Sequence, residues 1–305
     1  MLKWCSLLGS FCKEVFGHTP RTGSEAKVHV QDLKKMLMGS DEEQVSALAA
    51  LAEYWPQFKK AFPLPGEIEG ALTYVMYMSG SLPMDWTLLI FRDHKNRVLG
   101  GLHFQILDVD GVRYAWCEHW WLTSSELRAE AFLPVMSIIR EEMVLRNVDA
   151  IFLEFNDPVK MTPEEVEIDK SAGLGPEERL WFWANMRAME LVVPTESRSA
   201  SRGKIVKPPR LKSDSPEPAP YAQPAMSEED PPVEFLTLAF IAVGKKLAGT
   251  TLDRDHYQRL LDAAHGTITG CDPSTDETCV KIREAIARCP ETLVFRPLRE
   301  RFEKR

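Results

Sequence analysis

One carboxylate lies among aromatic residues in a segment typical of a β-strand: Glu118, between Trp116 and Trp120. Alternate residues of a strand point to the same face, so both tryptophans flank the carboxyl group, together with Tyr114 and Leu122. Apolar rings exclude water from a carboxylate and raise its pKa toward the working range. The spacing predicts a general base at Glu118. The alternative is a carboxylate at a strand edge that faces solvent or pairs with an arginine.

The neighbours of this carboxylate are candidates for substrate binding. Trp116 and Trp120 could line a pocket for an apolar or aromatic acceptor, or they could fill the core. His119 points to the opposite face in an alternating strand, where it is either a second base or a hydrogen-bonded structural histidine.

Composition and missing motifs exclude several classes. The 305 residues carry 37 Lys and Arg against 45 Asp and Glu, a net charge of -8, which disfavours nucleic-acid binding. No apolar run of 18 residues predicts a membrane span, and the six cysteines lack C-x-x-C spacing. We expect a cytoplasmic protein with free thiols and no metal, although Cys271, Cys279 and Cys289 could form a bridge in an exported protein. P-loop, G-x-G-x-x-G, H-E-x-x-H and G-x-S-x-G motifs are absent.

Hydrophobic periodicity predicts the elements that must position these residues. Helices are expected at Asp41–Phe58, with Asp41 as its N-cap, and at Glu67–Met78, Leu133–Arg146, Glu177–Met189, Asp253–Ala264 and Glu277–Arg288. Strands are expected at Trp86–Phe91, Val98–Leu107, Tyr114–Leu122, Ala150–Phe155 and Phe235–Val243. The first three strands form an antiparallel meander, and the fourth follows a parallel crossover. The fold class is therefore α/β (α+β), with a mixed, mostly antiparallel sheet flanked by helices.

Proline is concentrated late in the chain. Nine of the 21 prolines fall between Pro194 and Pro232, and residues 196–232 have no hydrophobic period. Because an apolar strand follows this cluster, we interpret it as a flexible insertion within one domain. The predicted organisation is an N-terminal extension (1–30) with a short amphipathic helix, a main domain (31–245) and a C-terminal helical extension (246–305).

The order of these elements resembles the GCN5-related N-acetyltransferase (GNAT) fold. Val98-Leu-Gly-Gly is similar to the family's strand entry, and Glu118-His-Trp-Trp-Leu is similar to its central fourth strand. Asp149–Pro158 resembles the fifth strand and its exit, and Arg179–Val192 resembles the late helix-to-strand signature. The resemblance implies acyl transfer from an acyl-CoA to an amine, and it places Glu118 at the centre of the fold.

The segment from Leu127 to Pro134 occupies the place of the family's pyrophosphate loop, which reads Q/R-x-x-G-x-G/A. Only Arg128 matches; Ala131 and Leu133 stand where glycines let the backbone approach phosphate. Pro134 suits the first turn of a helix, which predicts that the helix begins near Leu133. The residues to which the resemblance assigns the cofactor are Leu122, Leu127, Arg128, Ala129, Ala131, Leu133, Asn156 and Trp183.

The family's usual general acid, a tyrosine in the late helix, is replaced by Trp183, and an indole is no acid at neutral pH. Tyr221 is the candidate to replace it, with Gln223 beside it as an acceptor contact. Asn156 could contact the pantetheine or form an Asx turn before Pro158.

The sequence thus predicts an acyl-CoA-dependent N-acyltransferase, most simply an acetyltransferase. The acceptor is an amine on a small molecule or a protein, and a homodimer is one candidate assembly. The alternatives are a GNAT-like scaffold without CoA catalysis that serves as a binding partner, and an enzyme that takes its acyl group from a carrier protein.

Overall fold

A computed structural model describes most of the chain between residues 28 and 302. The described ranges are 28–62, 68–81, 84–123, 125–171, 175–186, 188–194, 211–212, 217–225, 232–234, 236–243, 251–268 and 272–302, with the backbone alone at 125–130 and 133. The N-terminal segment 1–27, with its predicted amphipathic helix, lies outside these ranges, as does most of the proline-rich segment. Within the described ranges, no helix is both long and apolar enough to cross a bilayer.

The chain divides into two compact units, the first comprising Met1–Phe62, Ile68–Ile106 and Cys117–Asn147, and the second Pro63–Glu67, Leu107–Trp116 and Val148–Arg305. Strands β3 and β4 contribute residues to both units. The elements of the first unit are β1 (His29–Asp32), α1 (Leu33–Leu37), α2 (Asp41–Ala61), α3 (Ala71–Met78), β2 (Asp85–Arg92), β3 (Val98–Val109), β4 (Val112–Leu122) and α4 (Ser125–Leu145).

Helix α2 begins with a capping box that the sequence reading placed one residue too late. Ser40, not Asp41, is the N-cap: its hydroxyl accepts from the Glu43 N–H, and the Glu43 carboxylate accepts from the Ser40 N–H at 2.7 Å. This reciprocal pair satisfies two backbone donors that the first turn leaves free. The buried face of α2 includes Tyr54 and Phe58, which pack under the sheet.

The predicted meander is confirmed in the first unit, where β1, β2, β3 and β4 are hydrogen bonded in that order. β2 is antiparallel to both β1 and β3, and Trp86 lies opposite Gln105. The glycine pair of β3 has a steric cause. A Cβ at Gly100 would lie 2.1 Å from the Trp121 carbonyl oxygen, and one at Gly101 would lie 2.5 Å from the Tyr54 hydroxyl oxygen.

Strand β4 holds one residue more than its partner. The β3–β4 hairpin turns at Asp110–Gly111, where both residues have positive φ. Counting from this turn, an unbroken ladder would place Leu99 opposite Leu122. Instead, the Thr123 N–H donates to the Leu99 carbonyl oxygen at 2.6 Å. The extra residue makes a β-bulge in β4, which breaks the alternation of its side chains.

The predicted start of α4 is wrong. The helix begins at Ser125 and contains Pro134 in its third turn. Proline prefers the first turn of a helix, but this preference does not decide where α4 begins. A proline inside a helix costs a backbone hydrogen bond. Neighbouring Ala131, Phe132 and Val135 are all buried, so tertiary packing supports this stretch of helix.

The second unit contains β5 (Ala150–Asn156), α5 (Pro163–Ser171), α6 (Pro176–Asn185), β6 (Met189–Val192), β7 (Leu236–Ala242), β8 (Thr251–Asp253), α7 (Arg254–Ile268), α8 (Glu277–Ala287), β9 (Thr292–Pro297) and a 3-10 helix (Leu298–Arg301). The strand order is β4-β5-β7-β6-β9-β8. The Asp149 N–H donates to the Arg113 carbonyl oxygen at 2.8 Å, beside the start of both β4 and β5. The two neighbours therefore run in the same direction, as predicted, whereas the other pairs in this unit are antiparallel.

The C-terminal residues are not a separate helical appendage. The two predicted helices are present, but β9 pairs with β6, and β8 pairs with β9. The described part of the proline-rich segment is also docked. Ala219 donates its N–H to the Leu191 carbonyl oxygen at 2.7 Å, and Ala219 and Tyr221 are buried. The predicted solvated insertion thus fails for residues 217–225. The mixed, mostly antiparallel sheet with flanking helices is confirmed.

Buried ion pairs join the last residues to this sheet. Arg301 donates from Nη2 to both oxygens of Asp157, at 2.9 Å each. Arg296 pairs with Glu190, which is fully buried. Each charge lies next to an opposite charge, so the loss of one leaves an uncompensated charge in the core.

Candidate active site

The Glu118 carboxylate lies in β4 and is held by an indole from β2. The Trp86 Nε1–H donates to Glu118 Oε2 at 2.7 Å. Trp86 is fully buried, and its ring stacks on Tyr74 of α3 with centroids 5.0 Å apart. The indole that orients the carboxylate is therefore itself fixed by packing.

Burial raises the pKa of Glu118 to about 8; the Trp86 hydrogen bond opposes the rise, and the charge of Glu69 adds to it. Near neutral pH this carboxyl group can therefore both accept and release a proton. A pKa close to the working pH is what general acid–base catalysis requires.

A second carboxyl group, Glu69, belongs to the same place and was missed by the sequence analysis. The Tyr77 hydroxyl donates to Glu69 Oε1 at 2.6 Å. Burial raises the pKa of Glu69 as well. The sequence reading placed Glu69 inside a helix, whereas α3 begins only at Ala71. We call Glu69, Tyr74, Tyr77, Trp86 and Glu118 the carboxylate–aromatic cluster.

The surroundings of Glu118 differ from those predicted by alternation. Trp120 packs on Phe132 of α4, with ring centroids 6.1 Å apart. His119, expected on the face opposite Glu118, has its ring 5.1 Å from that of Phe58, in the aromatic core that also contains Trp86. The β-bulge accounts for this, because it lets two successive side chains reach the same side of the sheet.

Hydrogen bonds among the side chains of Trp121, Tyr54 and His103 hold helix α2 in this aromatic core. The Trp121 Nε1–H donates to the Tyr54 hydroxyl at 2.6 Å, and the same hydroxyl lies 2.7 Å from His103 Nε2. Burial lowers the pKa of His103 well below its ordinary value, so this imidazole is neutral. Because its hydroxyl is occupied by Trp121 and His103, Tyr54 is a packing and positioning group.

The remaining predicted acceptor and acid residues lie in the second unit. Trp116 is buried in the core of that unit, 5.1 Å from the Phe152 ring, which favours core filling over a substrate pocket. The Tyr221 hydroxyl donates to Glu154. Gln223 exchanges backbone hydrogen bonds with Val233.

Two predicted cofactor contacts also have partners of their own in the second unit. The Asn156 side-chain amide donates to Asp169 at 3.2 Å. The next residue, Asp157, forms an Asx turn, since its carboxylate accepts from the Val159 N–H at 3.1 Å. Trp183 packs edge-on against Phe182 in α6.

The predicted pyrophosphate segment is helical. Ala131 and Leu133 lie beyond the first turn of α4, where backbone N–H groups bond within the helix, so they are not available as phosphate donors. The side chains of Leu127, Arg128, Ala129 and Leu133 lie outside the described atoms. Leu122 is buried at the end of β4. The free N–H groups of α4 are instead those that begin at Ser125.

Among the described cysteines, Cys117, Cys279 and Cys289 form no disulfide, and Cys271 lies outside the described residues. Within the described ranges, no three metal-binding side chains come together.

No protein-family model and no curated protein sequence match the chain. In structure the chain is similar to GCN5-related N-acetyltransferases. An aminoglycoside acetyltransferase from an uncultured soil metagenomic sample shares 10% identity over 60% of this chain and 97% of its own, with a TM-score of 0.36. Tetrahymena GCN5 shares 10% identity over 72% and 98%, with a TM-score of 0.35. The GCN5-related glucosamine N-acetyltransferase region of a fungal multi-domain GH3 beta-N-acetylglucosaminidase shares 15% identity over 43% of this chain, with a TM-score of 0.29, and the match spans 14% of that chain.

Proposed function

We propose that this protein transfers an acyl group from an acyl-CoA, most simply acetyl-CoA, to an amine, with Glu118 as the general base. One observation carries the proposal: a carboxyl group with a pKa of about 8, held by a buried indole in the bulged strand β4. An amine attacks only when it is unprotonated, and amines in this class of acceptor are protonated at neutral pH. The reaction therefore needs a proton acceptor next to the amine.

Glu118 performs the proton step as follows. Its ionised carboxylate removes a proton from the bound ammonium and becomes neutral, a state that its surroundings favour. The Trp86 N–H keeps one carboxylate oxygen in place, which leaves the other free to face the acceptor. Since the Glu118 side chain is partly exposed, the proton can then pass to solvent.

The beginning of α4 fits an acyl-CoA at the backbone level. Strand β4 ends at Leu122 and α4 begins at Ser125, so the free N–H groups of the first helical turn follow the strand that carries Glu118. These N–H groups and the positive end of the helix dipole suit a pyrophosphate. When bound, acyl-CoA supplies the acyl group as a thioester. A thiolate has an ordinary pKa near 8.5, so it can leave without an acid at mildly alkaline pH.

A second candidate is a GNAT-like scaffold that binds a partner without CoA catalysis. The observation that favours it is the helical conformation of residues 127–133, which removes the predicted phosphate loop. An enzyme that takes its acyl group from a carrier protein would also not need that loop. Both alternatives predict no thermal shift and no binding heat with free acyl-CoA.

The test measures the turnover of a panel of amines with acetyl-CoA, with the release of the CoA thiol as the signal. The full chain is compared with Glu118→Gln and Glu42→Gln. Glu42 is an exposed carboxylate in α2 and is the matched control. Removal of a general base typically costs about 10²–10⁴-fold in rate. We expect that loss in Glu118→Gln alone. Equal turnover by Glu118→Gln and the wild type would exclude Glu118 as the base.

A further inference from the structure

The two carboxyl groups of the carboxylate–aromatic cluster have no positive partner in the part of the chain that the structure describes. Among the described residues, no lysine or arginine forms a salt bridge with Glu69 or Glu118. Their hydrogen bonds come from neutral groups, the Tyr77 hydroxyl and the Trp86 indole. Partly buried carboxylates that repel each other are costly in the ionised form, and a cation between them would remove that cost.

The walls of the cluster are suited to such a cation. Tyr77 donates to Glu69, its ring lies 5.8 Å from that of Trp86, and Trp86 donates to Glu118. These contacts link the two carboxyl groups through aromatic faces. Tyrosine and tryptophan faces attract ammonium groups through their quadrupoles.

An independent observation points to a missing polar ligand. Gln105 lies opposite Trp86 in the β2–β3 ladder, so both side chains are on the same face of the sheet. Gln105 is fully buried, and neither its Oε1 nor its Nε2 has a hydrogen-bond partner among the described residues. A buried amide without partners costs stability, which indicates a polar group that the described residues do not supply.

We propose that the carboxylate–aromatic cluster binds a diammonium acceptor, with the reacting amine at Glu118 and the second ammonium at Glu69. The substrate class is an aliphatic diamine or polyamine. Its second ammonium group is the feature by which the site would distinguish it from a monoamine. Gln105 offers the amine a polar contact beside Trp86. This inference rests on the proposed function for the identity of the reacting amine, but the binding itself needs no acyl donor.

The test is calorimetric titration of diaminobutane and butylamine into the full chain at pH 8.5 and low salt, without acyl-CoA. At this pH most Glu118 carboxyl groups are ionised and both amines are protonated. We expect diaminobutane to bind about tenfold more tightly than butylamine, as a charge-assisted contact typically contributes. In Glu69→Gln this ratio should fall to about one. In Glu42→Gln, the control with the same change of charge, the ratio should stay as in the wild type.

The outcomes are separable. Equal affinity of the wild type for both amines, or an unchanged ratio in Glu69→Gln, overturns the diamine proposal even if amines are acetylated. Tight diamine binding without any thiol release from acetyl-CoA supports the cation site while contradicting the transferase. Glu69→Asp keeps the charge and should retain part of the preference, which separates loss of the contact from misfolding. Circular dichroism of each variant checks the fold.

Discussion

The raised pKa of Glu118 has a consequence for stability. Between pH 4.5 and 8 the unfolded chain has released this proton while the folded protein still holds it. The unfolded state binds fewer protons, so the free energy of unfolding falls as pH rises through this window. A rise in pKa from the ordinary 4.5 to about 8 corresponds to about 5 kcal/mol at pH 9 and to less than about 1 kcal/mol at pH 5. Because the side chain is partly exposed, solvent screening reduces the effect at pH 9 to roughly 2–3 kcal/mol.

Glu118→Gln removes the titrating group and keeps an oxygen that accepts from Trp86. The variant should be about 2–3 kcal/mol more stable than the wild type at pH 9 and nearly equal to it at pH 5. Urea unfolding at both pH values, followed by circular dichroism, measures the difference, with Glu42→Gln as control. The burial argument would be refuted if the difference in unfolding free energy between variant and wild type were the same at pH 5 and pH 9. It would also be refuted if the variant were less stable than the wild type at pH 9.

Three further predictions concern packing and buried polar groups. Gly100→Ala should destabilise the first unit by about 2 kcal/mol or more because its Cβ meets backbone. Gly70→Ala meets no heavy atom closer than 3.8 Å and should cost less in thermal unfolding, about 1 kcal/mol or below, through the N-cap of α3. Arg301→Met should lower the free energy of unfolding by about 3–5 kcal/mol, since Asp157 is left buried and charged; a smaller loss above pH 7 in urea would contradict this. Gln105→Met should raise the melting temperature by about 2–4 °C and weaken diamine binding, and a lower melting temperature would mean that the amide has a partner.

Most of the longer helices and strands could be predicted because hydrophobic periodicity is local, whereas β1, α1, α5, β8 and β9 were not predicted. Ala150–Asn156 and Leu236–Ala242 are apolar runs flanked by polar residues, and both are strands. The start of α4 could not be predicted in this way, because burial of Phe132 and Val135 outweighs the cost of Pro134. Strand β9 was not predicted, because it is short and contains Arg296, whose charge pairs with Glu190, a residue distant in the sequence.

The site was predicted in part. Glu118 was recognisable as a carboxylate among tryptophans, but its hydrogen-bond donor, Trp86, comes from β2, and the charge that adds to its raised pKa, Glu69, precedes α3. Nothing in local spacing joins those segments. The β-bulge was equally hidden, because an extra residue is defined only by the register with β3. Tyr221 and Trp116 were assigned from strand alternation and family order, and both are held by contacts within the second unit.

The most direct test of the central claim is the pH dependence of the ratio of kcat/KM between wild type and Glu118→Gln for acetylation of one amine. Titration of the amine affects both proteins and cancels in the ratio. If Glu118 is the base, the ratio should rise about tenfold per pH unit below pH 8 and become constant above it. A ratio that stays near one, or that does not change between pH 6 and 9, would contradict the assignment of Glu118 as the general base.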